Sequence, residues 1–218
     1  MKIKIPERLS DIKLSQYQKF LRTTKDSEDD NFIARQMVAI FCDIPDKVVD
    51  QIIAKDFESI VNQIGNALNQ SPEFKEVITY EGVKYGFIPN LDEITVAEKA
   101  DLDTYFKDVQ TMDKAMGVLY REIDIQTKRG YLIQDYNADG KSLDLTLDVV
   151  FGANVFFYNL MRDLLISTQN SIKAEAEQNP KVKQILSKNG VGITAFLNSL
   201  QETFLNLTML ANLNFLKR

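Results

Sequence analysis

Val77-Ile78-Thr79-Tyr80-Glu81-Gly82-Val83-Lys84-Tyr85-Gly86-Phe87-Ile88 is the stretch that decides the fold. Two runs of β-branched and aromatic residues flank Glu81-Gly82, a two-residue turn with glycine second. This predicts a β-hairpin near 76–88, although Glu is not the preferred first turn residue. Pro89-Asn90 ends it. Two strands alone are marginal in water, so the hairpin must lie on helices or join another sheet. Upstream the apolar spacing is helical. Phe32, Ile33, Met37, Ile40 and Phe41 form a stripe ended near Pro45, Val48, Val49, Ile52 and Ile53 continue on a second helix, and Phe57, Ile60, Val61, Ile64 and Leu68 lie on a third that Asp56 can cap. Before them, Ser15 can cap a short helix carrying Tyr17, Phe20 and Leu21, followed by Lys25 to Asp30 as a solvated connection. Downstream, Thr95 and Glu98 read as a capping box opening a helix with Leu102, Tyr105 and Phe106. Met112, Ala115, Met116 and Leu119 follow at helical spacing, which makes the two methionines core filling and not soft metal ligands.

Residues 124–145 are polar and irregular in pattern, and are expected to be a surface connection between two parts. Residues 1–123 form the first part, helical with the hairpin. Residues 146–218 form a long helical hairpin. Within it, Leu147 to Gln178 reads as one helix or as two broken near Gly152, closed by Pro180. Asn189-Gly190 is a turn, and a last helix runs from about Gly192 nearly to the end. Asn154, Asn159, Arg162 and Asp163 interrupt the apolar run too often for a membrane span. Nine glycines and five prolines agree with long helices. The expected class is mainly α with one small β-hairpin, α+β in the N-terminal part and long helices in the C-terminal part. The C-terminal helices are apolar over more than one stripe: Phe151, Phe156 and Phe157 cannot share one narrow face, and Phe196, Leu200, Phe204 and Leu207 are joined by apolar residues on others. These seven residues are the candidate interface. An internal core would use them equally well.

The composition excludes much chemistry. With no histidine, no catalytic dyad or triad can use imidazole, and with one cysteine the usual zinc sites and any internal disulfide go too. Cys42 lies in an apolar run and is expected to be a buried, inert thiol. A net charge of −5 argues against a nucleic-acid surface made of net basic charge. The first six residues lack the apolar core of a signal peptide, so the chain is expected to stay where it is made. Asp135-Tyr136-Asn137-Ala138-Asp139-Gly140 matches the first half of a calcium loop, but Thr146 stands where the bidentate Glu belongs, and Asp144 and Asp148 sit at the wrong offsets. Gly190-Val191-Gly192-Ile193-Thr194-Ala195 fits a dinucleotide fingerprint without the strand and βαβ unit that it requires. The 31 acids could supply a general acid and base, but no pair stands out by spacing. Tyr80 and Tyr85, flanking the hairpin turn, are expected to pack across strands and not to stack on bases. No catalytic, cofactor-binding or metal-binding residue is expected.

Two stretches resemble proteins from the structural and assembly genes of tailed bacteriophages, particularly those infecting Bacteroidetes, including the crAss-like group. They are Ile5-Pro6-Glu7-Arg8-Leu9-Ser10-Asp11-Ile12-Lys13-Leu14-Ser15-Gln16-Tyr17-Gln18-Lys19-Phe20, and Tyr80-Glu81-Gly82-Val83-Lys84-Tyr85-Gly86-Phe87-Ile88-Pro89-Asn90-Leu91 with Thr95-Val96-Ala97-Glu98 behind it. The order of helices, hairpin and helices from 30 to 120 also looks like phage tail-assembly chaperones. The resemblance implies a non-enzymatic virion protein of the neck, tail or capsid interior, made in the host cytoplasm. Its partners would be other phage structural proteins or itself. A transient assembly chaperone is the alternative, and an enzyme using only carboxylates comes third.

Overall fold

The computed structural model describes residues 3–128, 130–138, 140–157, 159, 160 and 163. Helices predominate, and one small antiparallel sheet accompanies them. Helix α1 (Leu14–Thr24) begins one residue before the predicted Ser15 cap. Lys13 is the N-cap, and Ser15 lies inside the first turn, where its N–H and its hydroxyl each donate to the Asp144 carboxylate at 2.8 Å. A carboxylate from far along the chain therefore serves the positive end of this helix. Helix α2 (Asp30–Phe41) starts on Asp29, which accepts the N–H groups of Asn31 and Phe32, so the acidic connection before it contains a cap. It stops where Asp43 turns to φ 53° and Ile44 N–H closes back on Ala39 O at 2.9 Å.

The predicted second helix is shorter than its apolar spacing implies. Helix α3 (Asp46–Val49) is a single turn, because Ile53 adopts extended backbone as the N-cap of α4 (Ala54–Leu68) and is 71% exposed. Asp56 consequently lies in the first turn of α4 and does not cap it. Tyr17 and Phe20 of α1, Met37, Ile40 and Phe41 of α2, and Ile60, Ile64 and Leu68 of α4 are buried as the helical spacing predicts. Cys42 is buried with them, and burial pushes its thiol up to about 11, which leaves it protonated and unreactive at neutral pH.

The hairpin forms as read, from β1 (Val77–Tyr80) and β2 (Val83–Phe87), with Glu81 at φ 50° and Gly82 at φ 82° in the turn. Both central residues are left-handed, as a two-residue turn matching the twist of the strands requires. It does join further strands. Helix α5 (Val96–Tyr105) opens on the predicted capping box, with Thr95 and Glu98 each accepting the other's N–H. Helix α6 (Met112–Leu119) buries Met112, Ala115, Met116 and Leu119 and runs directly into β3 (Tyr120–Thr127). Strand β4 (Gly130–Ile133) completes a meander in the order β1-β2-β3-β4. Ile78 pairs with Tyr85, Phe87 with Tyr120, and Ile125 with Leu132, with a register shift between Ile123 and Ile125.

This corrects the expected polar connection at 124–145. Its first ten residues lie in or between β3 and β4, and their charged and polar character reflects a sheet margin held by main-chain pairing and not by apolar burial. The rest, 134–145, forms with Thr146 a strap, 134–146, whose Leu143 and Leu145 are buried. A helix α7 spanning residues 147–157 follows without a break at Gly152. Leu14 N–H donates to Leu145 O at 2.8 Å and Leu147 N–H to Ile12 O at 2.9 Å, so the start of α7 belongs to the N-terminal body. One compact unit covers Met1–Gly152, and a second begins at Ala153.

Candidate functional site

Two adjoining cavities of about 250 Å³ each lie within the first unit, where the 134–146 strap passes α6. Both are lined by Gly117, Tyr136, Asn137, Gly140 and Lys141. The strap is placed by specific ties. Tyr136 Oη donates to Asp101, Ser142 Oγ donates to Asp113, and Leu143 N–H donates to Asp113 O at 3.0 Å. Glycine is required at position 117 of α6, since a Cβ there would strike the carbonyl oxygen of Lys141. The strap thus rests its main chain directly on the helix.

The first cavity is built around Glu122. Its carboxylate accepts Tyr85 Oη at 3.1 Å and lies 3.7 Å from Lys141 Nζ. Tyr85 is pushed up to about 12 by burial and then by the Glu122 hydrogen bond. Burial and the Asp101 hydrogen bond also hold Tyr136 above its ordinary range. Both phenols therefore stay neutral donors at physiological pH and are poor general bases there. In the second cavity Lys114 Nζ stands 5.6 Å from the Tyr105 ring centre, a cation–π distance. Chemically this is a polar cleft, whose phenol hydroxyls are engaged by Glu122 and Asp101 and whose Glu122 also pairs with the exposed Lys141.

Two further ion pairs brace the surroundings. Glu98 Oε1 lies 2.9 Å from an Arg121 nitrogen with both side chains largely out of solvent, tying α5 to β3. Lys75 pairs with Asp148. Burial by itself would raise the Asp148 carboxyl, but hydrogen bonds from Lys75, Thr146 and the Val149 N–H outweigh it and hold the group below its ordinary value.

The residues singled out in the sequence are dispersed. Phe151 sets its ring edge-on against Tyr17 at 5.6 Å, so it contributes to the packing of the first unit. Phe156 and Phe157 are half-buried neighbours with ring centres 5.5 Å apart, while Phe196, Leu200, Phe204 and Leu207 lie outside the described residues, as does the Gly190 to Ala195 motif. Tyr80 and Tyr85 meet edge-on at 6.1 Å on one face of the hairpin, in the cross-strand packing expected of them. In the calcium-like loop, Asp135 is exposed, Gly140 N–H closes on Asn137 O, and both oxygens of Asp144 are taken by Ser15. Asp139 is outside the described residues, among which no group of three or more potential ligands could hold a metal ion. Among the same residues no helix is long and apolar enough to cross a membrane. The cleft residues Glu122 and Lys141 had no motif to mark them, and Tyr136 stood only at a non-ligand position of the calcium-like loop; the faint signal was the alternation Ile123, Ile125 with Tyr131-Leu132-Ile133 after it. Compared with protein-family models, curated proteins and solved structures, the chain matches none.

Proposed function

We propose that this chain is a non-enzymatic virion component of a tailed bacteriophage, made in the host cytoplasm and acting through protein–protein contacts. The observation that carries this reading is the apolar surplus of the segment from Leu147 onward. Leu147, Val149 and Val150 of α7 are buried, yet Phe156 and Phe157 remain half-buried and Leu160 is 44% exposed. In the sequence, Phe196, Leu200, Phe204 and Leu207 continue that excess. Helices apolar on several stripes need more than one covering surface, and another protein chain can supply one. The phage-like stretches Ile5 to Phe20 and Tyr80 to Leu91 support the same setting. Against an enzyme stands the chemistry of the cleft, whose phenols are held protonated well above physiological pH and whose Glu122 is engaged by Tyr85 and Lys141.

Mass spectrometry of purified particles tests the proposal. A virion component is expected at a fixed copy number in mature particles. Presence in assembling cells with absence from particles would overturn it in favour of an assembly chaperone, the role that the order of helices, hairpin and helices favours second. Removal of residues 192–218 is expected to leave the remainder folded by circular dichroism while abolishing association. Wholesale unfolding would assign that segment to the core instead.

A further inference from the structure

The sheet ends on β4, whose outer edge has no neighbouring strand among the described residues. The direction of its main-chain groups follows from one bond. Gln134 N–H donates to Glu122 O at 2.9 Å, toward β3. Alternation then points the N–H and C=O of Leu132 toward β3 as well, and those of Tyr131 and Ile133 outward. Edge strands are normally blunted by charge, proline or a bulge. Gly130-Tyr131-Leu132-Ile133 carries no charge and no proline, and the register shift lies in β3. Leu132 is 61% exposed, and its cross-strand partner Ile125 is 53% exposed.

We propose that β4 is a self-pairing edge, to which a second copy of this chain adds its own β4 antiparallel about a two-fold axis at Leu132. In that register Tyr131 of each copy faces Ile133 of the other, so the outward main-chain groups satisfy one another. Leu132 meets its counterpart in the non-hydrogen-bonded pair, where side chains approach most closely. With Ile125 on either side, the two copies form one apolar row across the joint. Charge selects the same arrangement. The exposed Asp135 at the end of one strand comes within one register position of the exposed Lys128 at the start of the other, so an acidic end meets a basic start. A parallel arrangement would place like charges together, and a foreign strand lacks this self-complementarity. So short an edge buries less than the roughly 1,200 Å² of a standard interface, which makes the dimer weak and reversible. The pairing does not rest on the virion role, and holds or fails whether or not the chain is found in particles.

Analytical ultracentrifugation of the full chain from about 10 to 300 μM is expected to show a reversible dimer, within the weak range such small contacts reach. Leu132→Lys sets two ammonium groups against each other at the axis. It is expected to weaken dimerisation by about tenfold or more with an unchanged circular dichroism spectrum. Leu132→Cys places two thiols at a Cα separation near the ~4.5 Å of a non-hydrogen-bonded pair, and is expected to give a reducible disulfide-linked dimer on mild oxidation. Val96→Cys, at the 88%-exposed Val96 of α5, and the wild type with its buried Cys42 are expected to stay unlinked. If Leu132→Lys does not fold, the cross-linking comparison decides by itself. A chain that remains monomeric over the whole range, self-association that survives Leu132→Lys undiminished, or linkage at position 96 equal to that at 132 would each overturn the proposal.

Discussion

The two hairpins of the sheet are built from the same kind of pairing but held in place by different forces. In β1–β2, Ile78, Tyr85 and Phe87 are buried, and Phe87 lies between the rings of Phe74 at 4.9 Å and Tyr120 at 5.3 Å. In β3–β4, Ile125 and Leu132 face solvent, and what fixes the hairpin is pairing to β2, the Glu98–Arg121 ion pair, and Tyr131, whose hydroxyl donates to Phe87 O at 2.8 Å. One hairpin is specified by burial, the other by a few discrete ties to structure already formed. Burial leaves a pattern in a sequence, whereas ties made through single residues do not.

Substitutions should separate the two modes. The largest loss is expected at Tyr120, the residue where they meet: it is 1% exposed, and its hydroxyl donates to Lys75 O at 2.7 Å. Tyr120→Ala should cost about 3–5 kcal/mol in urea-denaturation midpoints and slope. Arg121→Met leaves Glu98, which is 3% exposed, without its cationic partner and should cost about 3 kcal/mol by urea denaturation. Gly86→Ala is next. A Cβ there would strike the Tyr131 ring and press on Ile133 at 3.0 Å, so the variant should lose about 1–3 kcal/mol, with amide exchange rising in β4 before β1. Equal exchange in both hairpins would show that the two are a single cooperative unit.

Alkaline pH probes both hairpins at once. Tyr85 and Tyr131 are each pushed up to about 12 from an ordinary 10.0, chiefly by burial. A raised folded value means that the stabilisation is fully present below pH 10 and is lost as pH rises toward 12. Unfolding monitored by phenolate absorbance is therefore expected to begin above pH 10 and to involve both strands. The smallest effects belong to the exposed pair: Ile125→Thr and Leu132→Thr should each change monomer stability by less than about 0.5 kcal/mol. A larger loss measured on the monomer would show that the second hairpin too depends on burial.

Helix α6 and the β1–β2 hairpin were legible in the sequence because each element carries its own pattern, a 3.6-residue stripe in one and β-rich runs around a glycine turn in the other. The Thr95–Glu98 box was legible for the same reason, since both partners lie within one helical turn. The candidate cleft was not. Its Glu122, Tyr136 and Lys141 come from a polar strand and an irregular strap, and they meet only because Asp113, Asp101 and Gly117 on other elements fix where the strap runs.

The sequence by itself determined the helical majority, the first hairpin, the burial of Cys42 and the absence of imidazole or multi-cysteine chemistry, all of which follow from residue identity and local spacing. Tertiary structure decided the rest: that Ser15 receives the Asp144 carboxylate and does not cap α1 itself, that residues 120–133 pair as strands, and that the strap and the start of α7 belong to the first body. These outcomes depend on partners distant along the chain, and the free energy of a hydrogen bond or ion pair resides in both partners, so neither residue announces it alone.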